Sequence, residues 1–216
     1  MGKQTDGAFD ITCRPLLDLW GFVRRQYRLP SPAELKPLLP LVNYRAILLL
    51  SDNVTTHRME VSAENQARFR VGLLRRGMKL DVGGIGKGFA VDKAVEAMKT
   101  AGARTGLVRA GGDLYGFGPR TWRVGVANPA NPRQALKTFE IQNEAISTAG
   151  DYENYFEVGG RHYSHILNTQ TGQPVERRHS VSVRAPTCAL SDTWSTALFV
   201  NPKLRLPDSI RVVDMR

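Results

Sequence analysis

The chain has 216 residues, of which 42% are hydrophobic and 23% are charged, a composition typical of a globular protein with a substantial core. No apolar run approaches the ~20 residues of a membrane span, and the first ten residues lack the apolar stretch of a secretory signal peptide. The formal charge of +10 is spread over scattered Lys and Arg residues. Because no basic helix, zinc finger or RNP-like strand accompanies this charge, we expect a solvated basic surface and no nucleic-acid partner.

The first half of the chain predicts short helices and strands around one long helix. An amphipathic pattern predicts a helical segment at Asp10–Trp20, and a capping sequence predicts a helix start at Ser31–Glu34. Apolar residues predict strands at Arg45–Leu50 and Met78–Val82. Apolar residues at i, i+3, i+4 and i+7 then predict a helix from about Lys87 to Ala101. The stretch between residues 51 and 70 is interpreted as a variable excursion.

The second half of the chain is rich in predicted strands. A two-residue Gly-Gly turn predicts a hairpin of Tyr155–Val158 with Arg161–Ile166, and Phe139–Ile141 is predicted to pair with Ala145–Thr148. The remaining predicted elements are strands at Leu107–Ala110, Trp122–Ala127 and Val181–Val183, and a helix at Thr187–Val200. Strands predominate without strict βαβ alternation, which predicts an α+β fold with a mainly antiparallel sheet and packed helices.

Glycines concentrate between the predicted strand and the long helix, in the segment Asp81–Asp92. Glycine lets the backbone approach a ligand closely, and the free N–H groups of a helix start favour an anion such as phosphate. Lys87 adds a positive charge for that anion. The Walker and dinucleotide-binding patterns are both absent, so a simple tight turn between strand and helix remains the alternative.

The last predicted helix carries two polar oxygens on one face. Asp192 and Thr196 are four residues apart and lie opposite an apolar stripe. A carboxylate and a hydroxyl placed in this way suit a hard cation such as Mg²⁺ or Ca²⁺. The alternative is a solvated polar helix face.

Two further segments contain residue types that bind ligands or transfer protons. Ser147–Tyr155 combines hydroxyls, carboxylates and two tyrosines around a glycine, although ordinary turn chemistry explains such a composition equally well. His165 ends the second hairpin strand, where it is a candidate general base near neutral pH. A single strand histidine also commonly has a structural role.

Taken together, these segments resemble the ApbE family, the FAD:protein FMN transferases. The resemblance rests on five motifs in the family's order, which span roughly residues 6 to 200: GAFDITCRPLLDLWGF, DVGGIGKGFAVDKA, LVRAGGDLYGFG, ISTAGDYENYFEVGGRHYSHILNTQTGQPV and LSDTWSTALFV. It implies an ApbE-like (T-fold-like) architecture in a single domain over residues 1–216.

The resemblance implies an activity and a set of site residues. Family members split FAD at its pyrophosphate and transfer FMN to a Ser or Thr hydroxyl of a target flavoprotein, with release of AMP. The resemblance places a divalent metal, usually Mg²⁺ but also Ca²⁺ or Mn²⁺, on Asp192, Thr196 and the carbonyl of Gly86, and it makes His165 the base. The residues that it implies for FAD binding are Gly84, Lys87, Gly111, Gly112, Asp113, Asp151 and Tyr152.

The ends of the chain differ from the family pattern. We expect the chain to begin inside that pattern, without its leader and first strand, and to be shortened after Val200. An FAD-binding or FAD-hydrolysing module without transferase activity is therefore the alternative function. Family members are typically exported and often anchored to the membrane, but the chain itself carries no address.

Overall fold

The computed structural model describes residues 1–51, 69–128, 131–176 and 180–215. The predicted excursion at residues 51–70 lies largely outside these ranges. Within the described ranges, no helix combines the length and the apolar character needed to cross a membrane.

The described elements are short helices and antiparallel strands. The helices are α1 (Arg14–Trp20), α2 (Pro32–Leu35), α3 (Gly83–Thr100) and α4 (Cys188–Val200). The strands are β1 (Ile47–Ser51), β2 (Phe69–Leu73), β3 (Gly106–Ala110), β4 (Asp113–Phe117), β5 (Trp122–Asn128), β6 (Asn131–Ile141), β7 (Glu144–Gly150), β8 (Tyr155–Val158), β9 (Arg161–Ser164), β10 (Ser180–Ala185) and β11 (Arg211–Met215).

A five-stranded sheet in the order β11-β10-β7-β4-β3 forms the centre of the fold. Each neighbouring pair in it is antiparallel, which confirms the α+β prediction. Helices α3 and α4 pack against this sheet and against each other. Trp194, Leu198 and Phe199 of α4 form the main core with Val181 and Val183 of β10, and all five side chains are buried.

Two contacts fix α4 against α3. The carboxylate of Asp92 on α3 accepts hydrogen bonds from the backbone N–H groups of Cys188 and Ala189, at 2.7 and 2.9 Å. These N–H groups belong to the first turn of α4, where they have no partner within the helix. Four residues earlier on α3, Gly88 touches α4 so closely that a Cβ atom there would lie 2.4 Å from the Cys188 carbonyl oxygen.

A second core lies between the N-terminal helices and the β8–β9 hairpin. Trp20 stacks on Phe22 and packs at a tilt against Tyr163, and its indole N–H donates to the Gly172 carbonyl at 2.8 Å. The hairpin turns through Gly159 and Gly160 at φ +59° and +76°, as the Gly-Gly pair predicted.

The structure corrects two predicted elements at the start of α3. Met78–Val82 is not a strand, and the helix begins at Gly83 rather than near Lys87. Glycines have no side chain, so a first turn made mostly of glycine shows no periodic apolar pattern from which the helix start could be predicted. The extended segment before it is held by a hydrogen bond from the Asp81 N–H to the Ile11 carbonyl, at 2.7 Å, and not by a sheet partner.

The predicted pairing of Phe139–Ile141 with Ala145–Thr148 is also wrong. The first segment belongs to β6, which pairs with β5 in a separate two-stranded ribbon. The second segment belongs to β7, both edges of which are occupied by β4 and β10. Closeness in sequence predicted a hairpin, but the tertiary arrangement leaves β7 no free edge.

The close approach at Gly88 gives a first prediction. Gly88→Ala should destabilise the fold by about 1–3 kcal/mol, because the new methyl group meets backbone and cannot be accommodated by a rotamer change. Gly86→Ala is the matched control in the same helix, since its Cβ would lie 3.7 Å from the nearest atom, a side-chain carbon of Val82. That control should be neutral or stabilising by up to about 1 kcal/mol. Urea unfolding of both variants is the measurement, and equal stability of the two would contradict the packing account.

Candidate functional site

A cavity of about 330 Å³ opens where α3, α4 and the central sheet meet the N-terminal segment. Its walls bring together segments that are far apart in sequence. The lining residues are Ala8, Phe9, Asp10, Cys13, Leu17, Asp81, Gly83, Gly84, Lys87, Gly111, Gly112, Thr148, Ala149, Gly150, Glu153, His165, Ile166, Leu167, Thr169, Asp192, Thr196 and Val200.

Glycines allow the walls of this cavity to approach one another. A Cβ atom at Gly84 would lie 2.9 Å from a ring carbon of Phe9 and 3.4 Å from the Thr196 hydroxyl. Gly111 takes φ +61° in the turn between β3 and β4, where the aliphatic stem of Lys87 passes. The glycine-rich first turn of α3 therefore faces the cavity with backbone rather than side chains, a geometry that suits an anion.

Lys87 lies between two buried carboxylates. Its Nζ atom is 3.1 Å from Asp113 Oδ2 and 3.7 Å from Asp192 Oδ1. Burial opposes the charge on Lys87, but the charges of Asp192 and Asp113 outweigh it and raise the pKa of the ammonium above its ordinary value of 10.5. Lys87 is thus a fixed positive charge on the cavity wall.

Asp192 has an environment that disfavours its charge. It is only 3% exposed, and burial together with the neighbouring charge of Asp113 raises the pKa of its carboxyl to about 6. Lys87 and the N–H of Gly88, which donates to Asp192 Oδ2 at 3.0 Å, offset only part of this effect. A cation on Asp192 would supply the missing positive charge.

Thr196 provides a free oxygen one helical turn away. Its hydroxyl makes no hydrogen bond within the described residues, whereas those of Thr193 and Ser195 donate to α4 carbonyls at 2.8 and 2.9 Å. The neighbouring polar residues of α4 are buried, so a solvated helix face does not explain this arrangement. The residues present therefore fit a hard cation bound by Asp192 and Thr196.

Gly86, the third predicted metal ligand, lies within the first turns of α3 and does not line the cavity. Its role as a carbonyl ligand stays a prediction. In the described part of the chain, no three His, Cys, Asp or Glu side chains group closely enough to hold a metal. A cation here would consequently depend on hydroxyl, backbone and ligand oxygens.

His165 lines the cavity in a defined orientation. Its Nδ1 atom is 3.1 Å from the Asn154 carbonyl oxygen, and its backbone N–H donates to the same oxygen at 2.9 Å. A carbonyl can only accept, so we assign the ring proton to Nδ1, which leaves the lone pair on Nε2. Burial lowers the pKa of His165 below its ordinary value of 6.5, which keeps the ring neutral and able to accept a proton at pH 7.

Three predicted FAD-binding residues lie behind the wall rather than in it. Asp113 is buried, does not line the cavity and pairs with Lys87, which does. The Asp151 carbonyl contacts His162 Nε2 at 3.1 Å, and the Tyr152 ring packs against Gly150. Burial is the main cause that raises the pKa of Tyr152, followed by the charges of Glu153 and Asp151. By contrast, Gly84, Lys87, Gly111 and Gly112 all line the cavity, and FAD binding by them stays a prediction.

Sequence reasoning missed most of the N-terminal wall. Ala8, Phe9, Asp10 and Cys13 line the cavity, yet the sequence pattern singled out none of them as a site residue. Asp10 has a structural role, since its carboxylate accepts hydrogen bonds from the backbone N–H of Thr12 and, at 2.8 Å, from that of Tyr44. Burial raises the pKa of the Cys13 thiol to about 12, so this cysteine is an unreactive wall residue.

The fold is an α+β fold whose cavity is lined by a glycine-rich helix start, one lysine, a carboxylate–hydroxyl pair and one histidine. The chain belongs to the ApbE family, whose model matches residues 1–212.

Relatives and solved structures agree with this assignment. The chain is 31% identical over 208 residues to proteins named FAD:protein FMN transferase from Salmonella typhimurium and Escherichia coli K12, covering 93% of this chain and 56% of each relative. It resembles the crystal structure of the ApbE protein of Thermotoga maritima, with 35% identity, a TM-score of 0.77, and coverage of 92% of this chain and 61% of that one. For the apo flavinyl transferase ApbE of Pseudomonas stutzeri the identity is 33%, the TM-score 0.70, and the coverage 92% and 58%. The chain thus spans little more than half the length of the relatives it matches.

The lowered pKa of His165 predicts how stability depends on pH. The unfolded chain takes up a proton on this histidine near pH 6.5, whereas the folded protein does so only at lower pH. Stability contributed by the neutral ring is therefore present above about pH 6.5 and is lost as the pH falls below it. In His165→Gln, the drop in unfolding midpoint between pH 7 and pH 5 should be smaller than in wild type. Thermal unfolding across this range is the measurement. An unchanged drop would show that folding does not lower the pKa of His165.

Proposed function

We propose that this chain carries out flavin transfer: it splits FAD and attaches FMN to a Ser or Thr hydroxyl of a target flavoprotein, releasing AMP. The observation that carries the proposal is the convergence of an ammonium, a carboxylate–hydroxyl pair and a neutral histidine on one cavity, in Lys87, Asp192, Thr196 and His165. The names of its relatives and its family membership support the same activity.

The site residues suit each part of that reaction. FAD would lie with its pyrophosphate against the first turn of α3 and the ammonium of Lys87. The acceptor oxygen would attack the FMN-side phosphorus, the phosphorus–oxygen bond to AMP would break, and Nε2 of His165 would take the hydroxyl proton. Gly111 and Gly112 let the ligand approach the end of β3 closely.

A divalent cation is the proposed cofactor of this reaction. Asp192 and Thr196 would hold it, with the Gly86 carbonyl as the third ligand that the family resemblance implies. When bound, Mg²⁺, Ca²⁺ or Mn²⁺ would neutralise charge on the pyrophosphate oxygens. Asp192 is suited to this role because Lys87 only partly balances the negative charge of its buried carboxylate.

An alternative is hydrolysis of FAD to FMN and AMP, with water in place of the acceptor hydroxyl. The observation that favours it is the position of His165 in the cavity wall, since its Nε2 atom would take a proton from water as readily as from a hydroxyl. Incubation with FAD, Mg²⁺ and a candidate acceptor flavoprotein distinguishes transfer from hydrolysis. Transfer yields an acceptor that carries covalently bound, fluorescent FMN, whereas hydrolysis yields free FMN.

The carboxylate of Asp192 gives a prediction about metal dependence. Asp192→Asn should lower Mg²⁺-dependent AMP release by at least about 10²-fold, because an amide cannot neutralise the cation. The fold should persist, since the amide oxygen still accepts from the Gly88 N–H. This buried position makes Asn a better test than Ala, which would leave that N–H without a partner. Asp208→Asn, at an exposed position outside the cavity, is the matched control. AMP is measured by chromatography, and undiminished release from the Asp192 variant would refute the metal assignment.

The orientation of His165 gives a prediction about the transfer step. His165→Ala should slow flavin transfer by about 10²- to 10⁴-fold, the usual loss when a general base is removed. FAD affinity should change little, because the ring takes a proton and does not hold the phosphates. His162→Ala, which removes a histidine of β9 that does not line the cavity, should transfer at nearly the wild-type rate. Acceptor fluorescence and calorimetric FAD titration are measured side by side. A loss of transfer fully explained by weaker FAD binding would leave His165 as a packing residue.

A further inference from the structure

Lys87 has two carboxylates within reach, and it is closer to the one that does not line the cavity. The distance from its Nζ atom is 3.1 Å to Asp113 Oδ2 and 3.7 Å to Asp192 Oδ1. Asp113 is 1% exposed and begins β4, directly after the turn at Gly111 and Gly112. Within the described ranges, Lys87 is its ion-pair partner. Asp113 therefore acts on the cavity through Lys87.

The two oxygens of Asp192 have different neighbours. Oδ2 accepts the hydrogen bond from the Gly88 N–H at 3.0 Å, whereas Oδ1 faces the ammonium of Lys87. An ammonium and a divalent cation would compete for Oδ1, because both are drawn to the same buried negative charge. The position of Lys87 thus decides whether Asp192 is free to bind a metal.

We infer that Asp113 is a positioning residue that holds the Lys87 ammonium away from Asp192 and so keeps Asp192 open to a divalent cation. The inference rests on the proposed function. Without the carboxylate of Asp113, Asp192 is the nearest partner left for Lys87, and a direct Lys87–Asp192 pair would block the metal. The same residue also keeps the ammonium in the cavity wall, where the proposed pyrophosphate would meet it.

A simpler account is that Asp113 attracts the cation only through its own negative charge. The two accounts differ in whether the effect of Asp113 depends on Lys87. A charge acting alone weakens metal binding by the same factor with or without Lys87, whereas positioning requires Lys87 to be present. A double-mutant cycle measures this dependence directly.

The experiment uses the full chain and Mn²⁺, with the free ion followed by electron paramagnetic resonance. Asp113→Asn, Lys87→Met and the double variant are compared with wild type. With Lys87 present, Asp113→Asn should weaken Mn²⁺ binding by about tenfold or more, and in the Lys87→Met background by less than about threefold. Lys87→Met alone should bind Mn²⁺ more tightly and FAD more weakly than wild type.

Glu153→Gln is the matched control for charge. Glu153 lines the same cavity and acts on Lys87 through its charge, but among the described residues the ion pairs of Lys87 are with Asp113 and Asp192. Its removal should weaken Mn²⁺ binding by the same factor in both backgrounds. If Asp113→Asn does not fold, Asp113→Ser takes its place in the cycle, because it removes the same charge with a smaller side chain.

The outcomes separate this inference from the proposed function. Equal effects of the Asp113 substitution in the two backgrounds would overturn the positioning role and leave the proposed function intact. Tighter Mn²⁺ binding by Asp113→Asn would also overturn it. Wild-type protein that binds neither Mn²⁺ nor FAD would overturn the proposed function and this inference with it.

Discussion

The contact between α3 and α4 at Gly88 is the constraint on which the rest of the site depends. Backbone meets backbone there, because a side chain at position 88 would overlap the Cys188 carbonyl. The same contact lets the Gly88 N–H reach Asp192, and Asp92 on the same helix caps the first turn of α4. With the two helices fixed in this way, the glycine turn of α3 and the polar face of α4 become opposite walls of one cavity.

Burial then gives that polar face its chemistry. A carboxylate on an exposed helix would be solvated and would bind a cation weakly. Asp192 is instead enclosed with Asp113, and one lysine serves both, so the local charge favours a further cation. The arrangement disfavours ionised Asp192 unless a cation binds, which is a cost expected of the proposed cation site.

The central sheet brings the remaining groups to the same place. The end of β3 leads into the turn at Gly111 and Gly112, beside the side chain of Lys87. The end of β7 leads to the loop that carries Glu153 and Asn154. The β8–β9 hairpin returns beside that loop, so His165 meets the Asn154 carbonyl and its ring orientation is fixed. Antiparallel order thus places the proposed base, the proposed anion site and the proposed cation site on one cavity, although Lys87 and His165 are 78 positions apart in the sequence.

The sequence by itself determined the α+β class, helices α1 and α4, the Gly-Gly hairpin and the main chemical groups of the site. These features are local: they depend on apolar spacing, turn residues and motifs that lie within a few turns of chain. Tertiary structure decided what local pattern cannot contain. It decided that Gly83, Gly84 and Gly86 lie in the first turn of a helix, that β7 pairs with β4 and β10 instead of β6, and that the face carrying Asp192 is buried. It also placed Asp113 behind Lys87 and Phe9 against Gly84, because contacts between distant segments follow from how the elements pack and not from the residues that flank each position.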